Sequence, residues 1–288
     1  MVAHAFFLAG PLGFSAAKAL LEIPELRADS GFVVGSTPGL RVNYEESILG
    51  LLKEQNATII PEQIAIADAE RIVCVGWRKL LKREHKVFVV HDSLLPKLRG
   101  WNPLVTAIEI GFEQSGLSLF QASDEIDAGP IINQKSFVFP PDPSIKRVLE
   151  LAGEVLSELL SDYSRALGKP LSLKHQNPEE ATISLWRDDL DYEINWTQSS
   201  QQIHRFVASR GWPYLGASSR LEGTLVRILS SFPVSEEVTI INATPGKVLR
   251  IEPDGPVVVC GQGLLKVFEI VDESHMPVRL SKVRTRFS

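Results

Sequence analysis

The stretch Phe88-Val-Val-His-Asp-Ser-Leu-Leu-Pro-Lys-Leu-Arg-Gly100 decides how the first part of the chain is organised. It begins within the short apolar run Val87–Val90, whose β-branched and aromatic residues predict a central strand. His91 stands where that strand ends. Because the carboxyl ends of strands form the ligand crevice of an open α/β sheet, a histidine at this point is placed for chemistry rather than for packing.

Together with a later motif, Asp127-Ala-Gly129, the residues from His91 to Gly100 resemble the signature of the folate-dependent formyltransferases. That family includes methionyl-tRNA formyltransferase and the sugar-nucleotide N-formyltransferases. The resemblance covers most of the chain, since Ile194-Asn-Trp196, Ile203-His204 and the turn Pro245-Gly246-Lys-Val248 are similar to segments of the family's second domain. It implies an enzyme that transfers a formyl group from 10-formyltetrahydrofolate to an amine.

The resemblance makes His91 and Asp127 the candidate catalytic residues. Formyl transfer needs an amine freed of its proton and a proton delivered to the leaving nitrogen, and histidine, with an unperturbed pKa of about 6.5, suits both steps. A carboxylate held near the ring would orient it and favour the imidazolium. Trp77 is expected to wall the pteridine pocket, although a half-buried aromatic residue that caps the sheet explains it equally well. The cofactor-binding residues that the resemblance implies are Trp77, Ser93, Leu94, Leu95, Pro96 and Asp127.

One position departs from the family pattern. Members of the family have asparagine two residues before the histidine, where it helps to hold the formyl oxygen, and this chain has Val89 there. The hydrolase domain of formyltetrahydrofolate dehydrogenase also has an aliphatic residue at that position. The substitution therefore weakens the interpretation as a transferase but leaves the interpretation as a folate enzyme intact.

Two other kinds of chemistry have weaker support. Serine hydrolase chemistry is suggested by Ser93, which lies two residues from His91, but no Gly-x-Ser-x-Gly elbow is present. Asp124, Glu125 and Asp127 could imitate a cation site, yet the chain lacks His-x-x-x-His, His-x-Glu and paired-cysteine spacing. An acidic loop beside a catalytic carboxylate is the simpler interpretation, so we expect no metal.

Composition indicates an ordinary soluble globular protein. Of 288 residues, 44% are hydrophobic and 23% are charged, and the formal net charge is −5. This balance gives no global attraction to nucleic acid. Cys74 and Cys260 lie in apolar runs and read as reduced core residues, which fits the cytoplasm. The apolar opening has no basic region before it, and no apolar run approaches the roughly 20 residues that span a bilayer.

Strands that alternate with helices predict an α/β fold, a Rossmann-like formyltransferase catalytic domain with a mainly parallel sheet over residues 1–178. Apolar spacing predicts an amphipathic helix over Ile145–Leu167, and the polar stretch Lys174–Glu180 reads as a linker. Residues 179–288 predict a smaller C-terminal OB-like β-barrel domain. Its five expected strands are Val226–Leu229, Val238–Ile241, Gly246–Ile251, Val257–Cys260 and Leu264–Ile270.

Four functions then compete. The favoured one is an N-formyltransferase that acts on an amino sugar nucleotide. Methionyl-tRNA formyltransferase is disfavoured because Ser36–Asn43, where such enzymes carry a basic insertion, is short and has Arg41 as its only cation. The third is a 10-formyltetrahydrofolate hydrolase, and the fourth is a folate-binding protein without catalysis. We expect the folate and the amine acceptor as partners, no membrane, and leave a homodimer open.

Overall fold

The computed structural model describes residues 2–81, 86–236 and 238–288. The chain divides into two compact units. The first consists of the residues up to Leu104 together with Glu113–Phe139 and Arg147–Leu185. The second consists of Val105–Phe112, Pro140–Lys146 and Trp186–Ser288. The division into domains 1–178 and 179–288 stays a prediction about which parts fold independently.

Both units contain strands and helices. In chain order the strands are β1 (His4–Ala9), β2 (Ser30–Gly35), β3 (Arg71–Val75), β4 (Lys86–His91), β5 (Arg99–Gly100), β6 (Gln114–Gln121), β7 (Ile131–Val138), β8 (Ile183–Ser184), β9 (Ala217–Leu221), β10 (Thr224–Val234), β11 (Val248–Glu252), β12 (Gly255–Val259) and β13 (Leu264–Val271). The helices are α1 (Gly10–Glu22), α2 (Pro24–Ala28), α3 (Tyr44–Glu54), α4 (Glu62–Asp68), α5 (Pro103–Ile110), α6 (Ile145–Arg165) and α7 (Ser200–Ser209). Two 3₁₀ turns span Pro178–Glu180 and Asp189–Tyr192.

The first unit contains a six-stranded sheet in the order β2-β1-β3-β4-β6-β7. The pairs β1–β2, β1–β3 and β3–β4 are parallel, which confirms the predicted Rossmann-like sheet. In contrast, β6 runs antiparallel to both β4 and β7. For β6 and β7 the reason is their connection, a loop without a crossover helix, because a loop of this kind returns the chain antiparallel.

Helices cover both faces of this sheet, as the alternation of side chains in β1 illustrates. Ala5 and Phe7 belong to a buried cluster that also includes Ala65 of α4. On the opposite face, which also carries Phe6, the ring of His4 meets that of Tyr163 of α6 edge-on, with centroids 5.9 Å apart. Both faces of the strand are therefore apolar, which explains why the sequence of β1 shows a continuous apolar run.

The second unit contains a five-stranded antiparallel sheet in the order β11-β12-β13-β10-β9. This confirms the predicted small β domain. The last residues of the chain join its two edges, because Phe287 bridges to Leu221 of β9 and Arg286 bridges to Lys247 beside β11. A Cβ on Gly246 would lie 2.0 Å from the carbonyl oxygen of Phe287, so the Pro-Gly turn needs its glycine to let the C-terminal segment pass.

Two expectations about the strands of this unit were wrong. The stretch Val238–Ile241 is not a strand, and Ala217–Leu221, which was not predicted, forms β9. Ile240 packs against the buried cluster that contains Val257, but Ile241 is fully exposed and Val238 is 43% exposed. A high strand propensity alone does not form a strand, because packing against neighbouring side chains decides whether the strand is stable.

Both cysteines are buried and free. Burial raises the pKa of the Cys260 thiol to about 12, and it also raises the pKa of the Cys74 thiol. Neither thiol is therefore ionised near neutral pH. Across the described parts of the chain, no helix combines the length and the apolar character needed to cross a membrane.

Phe287 lets us test the closure of the second sheet. Its side chain is fully buried, and its ring centroid lies 5.3 Å from that of Trp196. We expect Phe287→Ala to lower the free energy of unfolding by about 3 to 5 kcal/mol, because a buried aromatic ring is removed and a cavity remains. Urea denaturation followed by tryptophan fluorescence measures this. The matched control is Phe268→Ala, at a ring that is 40% exposed, and an equal loss in the two variants would contradict the closure.

Candidate active site

The site begins at the carboxyl end of β4, where His91 stands opposite Ser118 of β6. The His91 side chain is 6% exposed. Its Nε2 lies 2.8 Å from the carbonyl oxygen of Leu98, and because a carbonyl oxygen only accepts, Nε2 donates a proton to it. The other ring nitrogen, Nδ1, lies 3.5 Å from Oδ2 of Asp127. A proton on Nδ1 would make the ring an imidazolium paired with this carboxylate.

Asp127 reaches His91 from the loop between β6 and β7. Its backbone is in the left-handed region, with φ at +51°. Its Oδ2 also accepts a hydrogen bond from the Gly100 amide at 2.8 Å. A Cβ at Gly129 would lie 1.8 Å from the carbonyl oxygen of Gln121, so the loop needs glycine two residues after the aspartate. The predicted pair is thus brought together, while the catalytic role of each residue stays a prediction.

Hydrogen bonds from β6 hold the loop that follows His91. The Ser118 hydroxyl donates to the carbonyl oxygen of Ser93 at 2.6 Å and accepts from the Leu95 amide at 3.0 Å. It also accepts from Nε2 of Gln134 at 2.8 Å. The Ser93 hydroxyl donates to the carbonyl oxygen of Lys97 at 2.6 Å. Sequence reasoning missed Ser118, because nothing in its own strand pattern indicates a partner in the loop.

The predicted folate-contacting loop residues fall into two groups. The side chains of Ser93 and Leu95 are buried, and the Ser93 hydroxyl already has a partner within the loop. Leu94 and Pro96 are half-buried. The second pair is therefore the more available to a ligand, and contact with folate stays a prediction for all four.

Trp77 and Val89 pack against the same buried apolar cluster. Val89 also packs against the cluster that contains Leu95, so it links Trp77 to the loop after His91. The Trp77 ring meets Phe7 edge-on, with centroids 4.9 Å apart. Its Nε1 is buried without a hydrogen-bond partner among the described residues. This packing fits the interpretation of Trp77 as a half-buried aromatic residue that caps the sheet, and its contact with the pteridine stays a prediction.

Asp92 is a third titratable group at the site. Burial raises the pKa of its carboxyl, while the charge of His91 lowers that pKa. The negative charge of Asp127 also raises the pKa of Asp92, and the positive charge of Arg78 lowers it. Sequence reasoning did not select Asp92, although its place beside His91 in the motif is a signal that could have found it. The site therefore contains two carboxyl groups close to one imidazole.

The acidic loop around Asp127 includes Glu125, whose Oε1 lies 3.5 Å from Nη1 of Arg99. Within residues 2–81, 86–236 and 238–288, no group of three or more histidine, cysteine, aspartate or glutamate side chains is arranged to hold a metal ion. The loop carboxylates instead have cationic and backbone partners.

Two protein-family models match the sequence, each over a different part of the chain. The sequence model described as "Formyl transferase" matches residues 50–160, and the model described as "Formyl transferase, C-terminal domain" matches residues 188–285. Among curated proteins, the chain is 24% identical over 261 residues to a methionyl-tRNA formyltransferase from Nitrosomonas europaea. That alignment covers 86% of this chain and 78% of the relative.

Solved structures share the fold. An N-formyltransferase from Helicobacter canadensis, in complex with folinic acid and dTDP-3-aminofucose, superposes with a TM-score of 0.67 at 15% identity, covering 93% of this chain and 99% of that chain. HypX from Aquifex aeolicus, in complex with tetrahydrofolic acid, superposes with a TM-score of 0.61 at 18% identity. Here 98% of this chain is covered but only 46% of the HypX chain, so this chain spans about half the length of HypX.

Ser118 gives a test of how the loop after His91 is held. Ser118→Ala removes the partner of the Leu95 amide and of the Ser93 carbonyl, and buried groups left unpaired cost about 2 kcal/mol of unfolding free energy. Denaturation by urea measures the loss. Ser115→Ala is the matched control, a buried serine at the other end of the same strand. If the two variants were equally stable, the hydrogen bonds of Ser118 would not be what holds the loop.

Proposed function

The chain belongs to the folate-dependent formyltransferase family and is an enzyme that uses 10-formyltetrahydrofolate, and from this premise we propose that it formylates the primary amine of an amino sugar nucleotide. His91 and Asp127 are the proposed catalytic residues. The observation that carries the proposal is their pairing, in which Nδ1 of His91 faces Oδ2 of Asp127 at 3.5 Å.

The pair can hold and move one proton. Nε2 of His91 is committed to the Leu98 carbonyl, so Nδ1 is the nitrogen whose protonation can change. When bound, 10-formyltetrahydrofolate supplies the formyl carbon that the amine attacks and the nitrogen that leaves. The attacking amine must lose a proton and the leaving nitrogen must gain one. Nδ1 and the Asp127 carboxylate provide the acid and the base for that exchange.

The residues near His91 fit a bound folate. Leu94 and Pro96 are half-buried at the surface of the loop, and the Trp77 side chain is half-buried as well, so each keeps some exposed surface for a ligand. Val89 offers an aliphatic wall but no amide to the formyl oxygen. Stabilisation of the developing oxyanion therefore falls to protonated His91 or to backbone amides of the loop that begins at Ser93.

Two observations support an amino sugar nucleotide as the acceptor. The superposition covers 99% of the Helicobacter canadensis enzyme, which was solved with dTDP-3-aminofucose, and 93% of this chain. Neither chain therefore has a large extra segment relative to the other. The connection between β2 and α3 is also short, and it offers Arg41 as its only cation. Phosphate contacts by cations supply most of the non-specific affinity for nucleic acid, and this connection adds little to it.

Methionyl-tRNA is the second candidate acceptor, favoured by a separate observation. The curated relatives at 24 to 29% identity are methionyl-tRNA formyltransferases. The second unit also ends in four exposed cations, and none of them forms an ion pair within the described part of the chain. These residues are Arg279, Lys282, Arg284 and Arg286. Sequence reasoning overlooked this run because the net charge of the whole chain is negative.

Hydrolysis of 10-formyltetrahydrofolate and folate binding without catalysis are two further alternatives, and one acceptor screen addresses both of them. Hydrolysis would use water in place of the amine, and Val89 is the residue that raises this alternative. A protein without catalysis would not need His91 and Asp127 held face to face. The two reduced cysteines favour a reducing compartment such as the cytoplasm for any of these activities.

An acceptor screen tests the proposed function. Release of tetrahydrofolate from 10-formyltetrahydrofolate is followed with an amino sugar nucleotide, with initiator methionyl-tRNA, and without an amine. We expect release that depends on the amino sugar nucleotide. Release only with the tRNA would reject the proposed acceptor, and equal release without any amine would identify a hydrolase. If tRNA is the acceptor, Arg284→Ala should weaken its binding and reduce the salt dependence of that binding.

His91→Ala tests the catalytic assignment. We expect turnover to fall by roughly 100- to 10,000-fold, since a group that moves protons in the transition state is lost. Thermal melting and circular dichroism check that the variant folds. The control is His275→Ala at an exposed histidine of the second unit, for which we expect wild-type turnover. A folded His91→Ala protein that keeps turnover within a few-fold of wild type would refute the assignment.

A further inference from the structure

The stretch Lys174–Gln176, which reads as part of a linker in the sequence, is bound to the Asp127 loop. Lys174 and Ile131 exchange two backbone hydrogen bonds, each 2.8 Å long. The Gln176 side chain continues this contact, because its Nε2 donates to the carbonyl oxygens of Asp127 at 2.8 Å and of Gly129 at 2.7 Å. One carboxamide therefore holds the backbone on both sides of the turn that carries Asp127.

The other end of the same carboxamide holds Arg99. Oε1 of Gln176 accepts from Nε of Arg99 at 3.1 Å and from Nη2 at 2.9 Å. Arg99 is 7% exposed, and its Nη1 lies 3.5 Å from the Glu125 carboxylate. Both N–H groups and the oxygen of the Gln176 carboxamide thus form hydrogen bonds. No other side chain of this length combines two N–H donors with a carbonyl acceptor in one planar group.

These contacts meet at the backbone of Asp127. Its left-handed conformation, with φ at +51°, is one that residues other than glycine keep only when their surroundings hold it. Gly100, which donates its amide to the Asp127 carboxylate, directly follows Arg99 in β5. Gln176 therefore ties the main chain of Asp127 to the same short strand that binds the carboxylate.

We propose that Gln176 is a positioning residue for the reaction: it holds Asp127 in the orientation in which the carboxylate faces Nδ1 of His91. Gln176 itself does not touch the reacting atoms. The inference rests on the proposed function, since it assumes that the pairing of His91 with Asp127 is catalytic. It differs from a general stabilising role because its effect must pass through Asp127.

The test is a double-mutant cycle measured on the full chain. Gln176→Met keeps the length of the side chain but removes all four hydrogen bonds, and we expect the turnover number to fall on the order of 100-fold, as a small displacement of a catalytic group can cause. The Michaelis constant for 10-formyltetrahydrofolate should stay within about threefold, because most of the contacts expected for ground-state binding lie at Trp77 and in the loop from Ser93 to Pro96, which Gln176 does not hold. Asp127→Asn alone should also lower turnover. In the Asp127→Asn background, Gln176→Met should cost little more, because two residues that act as one unit are not additive.

A second variant and a control keep the test decisive if Gln176→Met is poorly folded. Gln176→Glu keeps one oxygen as the acceptor for Arg99, but its second oxygen replaces the donor and repels the carbonyl oxygens of Asp127 and Gly129. Turnover should therefore fall in the same way while Arg99 stays paired. Gln63→Met, at an exposed glutamine of α4, should behave as wild type. Melting curves of each variant identify losses that come from unfolding.

The outcomes separate the two hypotheses. If Asp127→Asn lowers turnover but both Gln176 variants match wild type, the positioning role is wrong and the proposed function stands. If the losses of Asp127→Asn and Gln176→Met multiply in the double variant, Gln176 acts independently of Asp127 and the inference is again wrong. If Asp127→Asn itself keeps full turnover, the catalytic pair and the positioning role both fail.

Discussion

The imidazole of His91 is held between the carbonyl oxygen of Leu98 and the carboxylate of Asp127, and the loops around it keep these two partners in place. Both partners stand at left-handed backbone positions, with φ at +56° for Leu98 and +51° for Asp127. Such conformations cost free energy in residues with a Cβ, on the order of 1 to 3 kcal/mol each. They persist only because hydrogen bonds from elsewhere in the chain oppose their relaxation.

Those hydrogen bonds come from one segment. The Leu98 amide donates to the Thr182 hydroxyl at 2.8 Å, and Gln176 donates to the carbonyl oxygen of Asp127 at the same distance. The strand pair β5–β8 adds backbone bonds beside them, including one from the Arg99 amide to the Thr182 carbonyl oxygen. This segment begins within Lys174–Glu180, the stretch that reads as a linker in the sequence, and continues through Thr182 to β8, and it is a structural part of the site. Its polar composition reflects the hydrogen bonds that it makes to the loops, not only exposure to solvent.

Part of this arrangement is readable from the sequence, for reasons that particular residues make clear. The strand before His91 is apolar because both faces of the sheet are covered, and α6 follows the predicted apolar spacing, ending at Arg165 where Leu167 was predicted. Gly129 and Gly246 stand where other backbone atoms approach too closely for a Cβ. The prediction of a strand at Val238–Ile241 was wrong because apolar residues favour a strand, whereas pairing and packing partners decide whether one forms.

The sequence by itself determined the α/β class, the small β domain, the place of His91 at a strand end and its membership of a recognisable motif with Asp127. These features depend on local periodicity, on turn chemistry and on residues that are close together in the chain. Only the tertiary structure decided that β6 runs antiparallel to β4, that Gln176 and Thr182 hold the loops around His91, and that Phe287 helps to join the edges of the second sheet. The physical reason is that a hydrogen bond between distant segments leaves no periodic trace in either one, so its partners are known only once the chain has folded and the buried polar groups can be matched.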